Sequence, residues 1–183
     1  NYFSKDLYSA YTDSLGYLHL NIRQIDGRWY CSEVISNENL GYGTYTWEVA
    51  PNQVDLPVNT VLGLFTWDNN NLRTQANSEV DIEFSRWGNP TQNNTLHTSV
   101  QPVWYGSFYP ERTRGHLMPE AARTQMTTHE FRWAPDEITW TSYLGPKAAN
   151  QVIATWKFDL TNPARVKQEG GITSDPIVIP APG

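Results

Sequence analysis

A chain of 183 residues with 17% charged and 13% aromatic side chains has the length of one domain, and it is too aromatic and too weakly charged to be an intrinsically disordered segment. Its net charge of −6 has the wrong sign for a protein held to nucleic-acid phosphates or to an anionic bilayer, so neither is expected as a partner. No apolar run, Val61 to Phe65 being among the longest, approaches the roughly 20 residues that span a membrane.

Taken in chain order, the residues alternate between apolar and polar almost throughout, and helical spacing is rare. Leu18, Leu20 and Ile22 against Tyr17, His19, Asn21 and Arg23 predict a strand. Asp26-Gly27 predicts a hairpin turn, with Arg28 to Ser36 returning as its partner. Cys31 is the one cysteine, so no internal disulfide is available. Further strands are predicted over Gly43 to Ala50, Val61 to Trp67, Glu79 to Ser85, Thr95 to Gln101, Thr128 to Trp133, Glu137 to Leu144 and Val152 to Phe158. A short helix is predicted over Met118 to Met126, opened by Pro119. With no alternation of strands and helices there is no parallel sheet, and the pattern predicts an all-β antiparallel sandwich or barrel. Trp29, Trp47, Trp133 and Trp156 are expected in its core. Asn93-Asn94-Thr95 is a formal glycosylation sequon.

The chemistry concentrates in Glu79-Val80-Asp81-Ile82-Glu83-Phe84. On a strand the three carboxylates share one face, about 6.7 Å apart, while the apolar residues share the other. Alternating acids are ordinarily a solvated face, but Asp and Glu are poor strand formers and three together repel one another. The Cα atoms of Glu79 and Glu83 are expected about 13 Å apart, so two side chains leaning inward bring their carboxyls to about 5 or 6 Å. That separation suits a retaining glycosidase, in which one carboxylate attacks the anomeric carbon and the other protonates the leaving oxygen. Trp and Tyr, here 8 and 10 residues, are the side chains that stack on sugar rings. A calcium site is an alternative use of such acids, although ligands at two-residue steps on a straight strand converge poorly on one ion. The histidines lack metal-ligand spacing, and no nucleophile elbow or dinucleotide loop is present.

These residues resemble the ExDxE signature of glycoside hydrolase family 16, in its lichenase-like form. Gly41-Tyr42-Gly43-Thr44-Tyr45-Thr46-Trp47-Glu48-Val49 and the segment from His129 to Trp133 with Trp140 are similar to other stretches of that family in the same order. The resemblance implies a jelly roll of two curved sheets with a substrate cleft on the concave one, and an endo-acting retaining hydrolase of a β-linked polysaccharide. Glu79 is then the nucleophile, Glu83 the general acid/base and Asp81 the assisting carboxylate. Glu33 and Asn37 match sugar contacts and Trp140 an aromatic platform. Ile35 stands where lichenases carry a sugar-binding Arg, and the family's disulfide partner for Cys31 is absent.

Strand pairing would set His97, Ser99 and Gln101 beside the acids, and Trp67, Trp87 and Trp104 lie near cleft strands or loops. His97, Gln101, Trp67 and Trp104 are therefore candidate substrate contacts. No cofactor is expected, and a structural calcium of the family has no identifiable ligands here. The chain is expected to be a secreted monomer forming a single domain over 1–183 that lacks terminal strands. A noncatalytic carbohydrate-binding module and a transglycosylase are the alternative functions.

Overall fold

The computed structural model describes residues 2–52, 56–169, 172, 173 and 175–183. Two compact units divide it, Asn1–Leu40 and Gly41–Gly183.

The first unit is made of short hairpins. β1 (Ala10–Thr12) pairs with β2 (Leu18–Leu20), and β3 (Arg23–Ile25) with β4 (Arg28–Tyr30). Asp26 and Gly27 join β3 to β4 with φ of 49° and 78°, the left-handed pair that matches the twist of a two-residue hairpin. Strand β4 stops at Tyr30, well short of Ser36. Trp29, expected in a core, is 62% exposed. It sits opposite Gln24 on a two-stranded ribbon of three-residue strands, which offers no second layer to cover an indole.

The second unit is a sandwich of two four-stranded antiparallel sheets. One sheet has the order β11-β8-β7-β6 and the other β14-β13-β12-β5. The first contains β6 (Val61–Phe65), β7 (Val80–Ser85), β8 (Asn94–Val100) and β11 (Thr113–Leu117). The second contains β5 (Gly43–Val49), β12 (Thr127–Trp133), β13 (Glu137–Leu144) and β14 (Val152–Asp159). Two further ribbons are small: β9 (Trp104–Tyr105) with β10 (Ser107–Phe108), and β15 (Gln168–Glu169) with β16 (Ile172–Thr173). Every strand predicted from Gly43 onward is present within one or two residues. The predicted helix over Met118 to Met126 contracts to one 3₁₀ turn, Glu120–Arg123. A turn of α-helix at Leu72–Gln75 was not predicted, because four polar-flanked residues carry no periodicity to read.

Alternation builds the core. Val80, Ile82 and Phe84 of β7 face inward with Leu96, Thr98 and Val100 of β8, and they meet Phe131, Trp133, Ile138, Trp140 and Phe158 of the opposing sheet. Trp47 and Trp156 pack at its margin, half-buried. Trp140 stacks on Trp156 with ring centroids 4.5 Å apart. Its indole N–H donates to the Asp81 carbonyl at 3.0 Å, so a residue of one sheet is anchored to the backbone of the strand bearing the acids. His129 is the polar member of this interior. Its Nδ1 and Nε2 lie 2.8 Å from the Ser142 and Thr127 hydroxyls, and Phe84 meets it edge to face.

Burial pushes the His129 imidazole down to about 3, below its ordinary value near 6.5, so the unfolded chain takes up a proton that the folded one refuses. Stability is therefore full above pH 6.5 and is lost as pH falls from there toward 3. Urea unfolding across that window is expected to show a loss of about 2–4 kcal/mol from this residue. A His129→Gln variant, weaker at neutral pH, is expected to lack that part of the slope.

Candidate active site

The register of the first sheet assembles rows of side chains on its outer face. Residues opposite one another in an antiparallel pair share a face, so Asp81 lies between Phe65 and Ser99, and Glu83 between Gly63 and His97. Ser99 is in turn opposite Thr113, and their hydroxyls are 3.1 Å apart. At the other end the Gln101 N–H donates to the Glu79 carbonyl at 3.1 Å, which extends the ladder by one pair. Asp81 and Glu83 thus stand in file on a central strand with Glu79 immediately before it, flanked by Gln101, Ser99 and His97.

A turn of uncommon geometry delivers the first of them. Ala76, Asn77 and Ser78 have φ of 50°, 64° and 53°, three consecutive left-handed residues, none of them glycine and all buried. Such backbone costs on the order of 1 kcal/mol or more per residue and persists only where surrounding contacts impose it. Those contacts are present. The Thr66 hydroxyl donates to the Ser78 carbonyl at 2.7 Å, Asn71 Nδ2 to the Ser78 hydroxyl at 2.8 Å, and that hydroxyl to the Ala181 carbonyl at 2.7 Å.

The three acids differ in surroundings. Asp81 is 3% exposed, and its Oδ2 accepts a hydrogen bond from Gln101 Nε2 at 3.0 Å. Burial, then the charges of Glu79 and Glu83, hold its carboxyl well above the usual range, and Gln101 and Lys167 pull the other way. Burial pushes Glu83 up to about 7. Glu79 has a cation for a neighbour: Lys167 Nζ is 3.8 Å from its Oε2. Glu83 opens into a cavity of about 400 Å³ lined also by Trp87, His97, Gln101, Phe108 and Thr113. His97 is held below its ordinary value by burial, so it stays neutral, and Trp87 meets its ring edge to face at 5.6 Å. This arrangement can supply a proton from Glu83 and place carboxylate charge elsewhere in the same file.

Most of the expected contacts gather here. Gln101 and His97 line the cavity. Trp67 is 47% exposed, and its ring lies under Lys167 Nζ at 5.2 Å. Trp104 is 68% exposed and packs against Phe108, itself part of the cavity wall. Trp140 is a correction: at 1% exposure in the opposite sheet it cannot meet a ligand, because alternation on β13 turns it inward. Its place is beneath the acids, bonded to Asp81. Glu33 and Asn37 lie exposed in the coil after β4 of the first unit. Lys167, Asn77, Phe108 and Thr113 were missed. Lys167 lies in a segment with no alternation to give it a face, and only the chain path brings it to Glu79. Among the described residues, no cluster of His, Cys, Asp and Glu is arranged to hold a metal ion. No helix among them is long and apolar enough to cross a membrane.

The solved structure of a Bacillus licheniformis beta-glucanase is similar to this chain with a TM-score of 0.57 at 19% sequence identity, over 96% of this chain and 72% of that one. At that identity the likeness establishes the fold, an all-β antiparallel sandwich of the jelly-roll type. No family model and no curated protein matches the chain.

A carboxyl raised to about 7 makes the folded state bind a proton the unfolded state has already lost, so its cost to stability appears as pH rises from about 4.5 to 7. Glu83→Gln, which cannot ionise, is therefore expected to be more stable than the parent at pH 8 by about 1–3 kcal/mol. The gain is expected to vanish below pH 4.5 in denaturant titrations.

Proposed function

We propose that this protein is an endo-acting, retaining glycoside hydrolase of β-linked polysaccharides, of the family 16 type and secreted. The observation that carries the reading is the file of three acids on one strand face, with Glu83 protonated near neutrality at the mouth of an aromatic-lined cavity and Glu79 beside a cation. The beta-glucanase fold neighbour supports the substrate class. So do Trp87, Trp104 and Phe108, each at least half exposed and able to stack on sugar rings.

In this mechanism the Glu79 carboxylate attacks the anomeric carbon while the glycosidic C–O bond breaks. The leaving oxygen takes the bond's electron pair and the Glu83 proton. Glu83, now a carboxylate, removes a proton from water. The water oxygen attacks the same carbon, and the bond to Glu79 breaks to restore its carboxylate. Two displacements give net retention. Asp81, whose carboxyl burial and the charges of Glu79 and Glu83 hold well above the usual range, carries a shared proton as charge moves along the file. His97, uncharged, fills the Glu83 side of the cavity without competing for the proton.

Activity on soluble β-glucans, read as new reducing ends, is expected to fall about tenfold per pH unit above pH 7, as Glu83 loses its proton. A flat profile would remove Glu83 as the acid. Glu79→Ala is expected to be inactive alone and, with azide and an activated aryl β-glycoside, to regain turnover with a glycosyl azide of inverted configuration by NMR. A retained azide product would exchange the roles of Glu79 and Glu83. A parent inactive on every glycan would favour a carbohydrate-binding module.

A further inference from the structure

Lys167 enters the file of acids from outside the sheet, on a segment that is itself anchored. Arg165 exchanges two backbone hydrogen bonds with Ile177, at 2.8 and 2.9 Å. Its Nε is 2.7 Å from Glu111 Oε1, and its guanidinium lies 4.7 Å from the Tyr109 ring centroid. Two residues on, Lys167 Nζ is 2.8 Å from Asn77 Oδ1 and sits over the Trp67 ring. Only 14% of the Lys167 side chain is exposed, so the long stem is packed and the ammonium is not free to sweep through solvent.

Asn77 is a fixed acceptor. Its backbone is left-handed and buried, its carbonyl accepts from Asp68 N–H at 2.7 Å, and its Nδ2 donates to the Asp68 carbonyl at 3.2 Å. With its own backbone and amide nitrogen both tied to one residue, its Oδ1 can point only where Lys167 meets it. Trp67 adds the attraction of its ring face for a cation. The ammonium is therefore pinned by two neutral groups. Its distance of 3.8 Å from Glu79 Oε2 is an ion pair but longer than a hydrogen bond.

We propose that Lys167 is a positioning residue for Glu79: held by Asn77 and Trp67, it keeps the Glu79 carboxylate charged and oriented. The proposal rests on the reading of Glu79 as the nucleophile. The rows on the same face of the sheet, with Gln101 nearest Glu79, show what charge is available there. Its own strand contributes Asp81 and Glu83, both acids. From β8 come Gln101 and Ser99, which are neutral, and His97, which burial keeps neutral. From β6 and the residues after it come Phe65 and Trp67, which carry no charge. Lys167 is the cation the described contacts place beside it.

The test uses the whole chain labelled with ¹³C at glutamate carboxyl carbons, with the Glu79 signal assigned by Glu79→Gln. Lys167→Gln keeps a donor for Asn77 and removes the charge; Lys167→Met removes both; Lys167→Arg keeps the charge. Loss of a cation at this distance is expected to raise the Glu79 titration midpoint by about one pH unit in the Gln and Met variants. In Lys167→Arg the midpoint is expected to stay within a few tenths of the parent's. The acid limb of kcat/KM is expected to move up in parallel, about tenfold in rate below the midpoint. A merely structural lysine would lower stability and leave the Glu79 midpoint in place. An unmoved midpoint in a folded Gln or Met variant overturns the proposal. A parent that hydrolyses no glycan overturns the nucleophile reading instead, and the NMR midpoint still reports whether Lys167 holds Glu79 charged.

Discussion

Three carboxylates in file on one face of a central strand repel one another, and Asp81, the middle one, is almost wholly removed from water. Much of the second unit can be understood as the set of contacts that makes this tolerable. On the inner side of the same strand, Val80, Ile82 and Phe84 are buried to within a per cent of completely, which supplies hydrophobic stabilisation of a few kcal/mol per pair of large side chains. On the outer side, Gln101 gives Asp81 a hydrogen bond and Lys167 gives Glu79 a charge. The remaining penalty is met by protonation, since a carboxyl that is costly to ionise keeps its proton. The acid catalysis proposed for Glu83 is thus a by-product of the way the strand accommodates its own charge.

The supports for this file come from far along the chain. Trp140 reaches from the opposite sheet to the Asp81 carbonyl, so the sheet bearing the acids cannot shift against its partner without breaking that bond. Arg112, fully buried, donates to the carbonyls of Val100, Gln101 and Val178 and lies over the Phe158 ring. Burial lowers its guanidinium to about 10, which leaves it charged at neutral pH. It fixes the backbone of Gln101, whose side chain fixes Asp81. The residues near 180 take part as well: Trp133 Nε1 donates to the Pro180 carbonyl and the Ser78 hydroxyl to that of Ala181. A left-handed turn just before Glu79 is stable because segments so remote in sequence close over it.

The same division separates rigid from adaptable parts of the site. Asp81, Glu83 and Ser99 sit on paired strands, and a backbone hydrogen bond joins Glu79 and Gln101 just beyond them. Trp67, Trp87, Trp104 and Phe108 lie at strand ends or in loops and small ribbons, with large exposed faces. Under the proposed function, chemistry that needs fixed spacing is on the sheet, and contacts able to adapt to different substrates are on its margins.

How much of this was legible depended on whether the signal was local. Alternation is a property of neighbouring residues, so the strands from Gly43 to Asp159 and the shared face of Glu79, Asp81 and Glu83 could be read directly, as could the Asp26-Gly27 turn. Pairing order is also partly local, because consecutive strands tend to be neighbours, and this is why His97 and Gln101 were expected beside the acids. What alternation does not say is which face meets a second sheet. Trp140, a platform by resemblance, is a buried anchor, and Trp29, a core residue by pattern, is exposed, since each outcome depends on a layer elsewhere in the fold. Lys167 and Asn77 are the extreme case: they are 90 residues apart, neither belongs to a strand, and their bond exists only because the chain folds one onto the other. By itself the sequence determined the sheets and the row of carboxylates they carry. Which groups tune, brace and cover that chemistry was decided by tertiary structure, because those contacts join residues whose separation along the chain leaves no periodic trace.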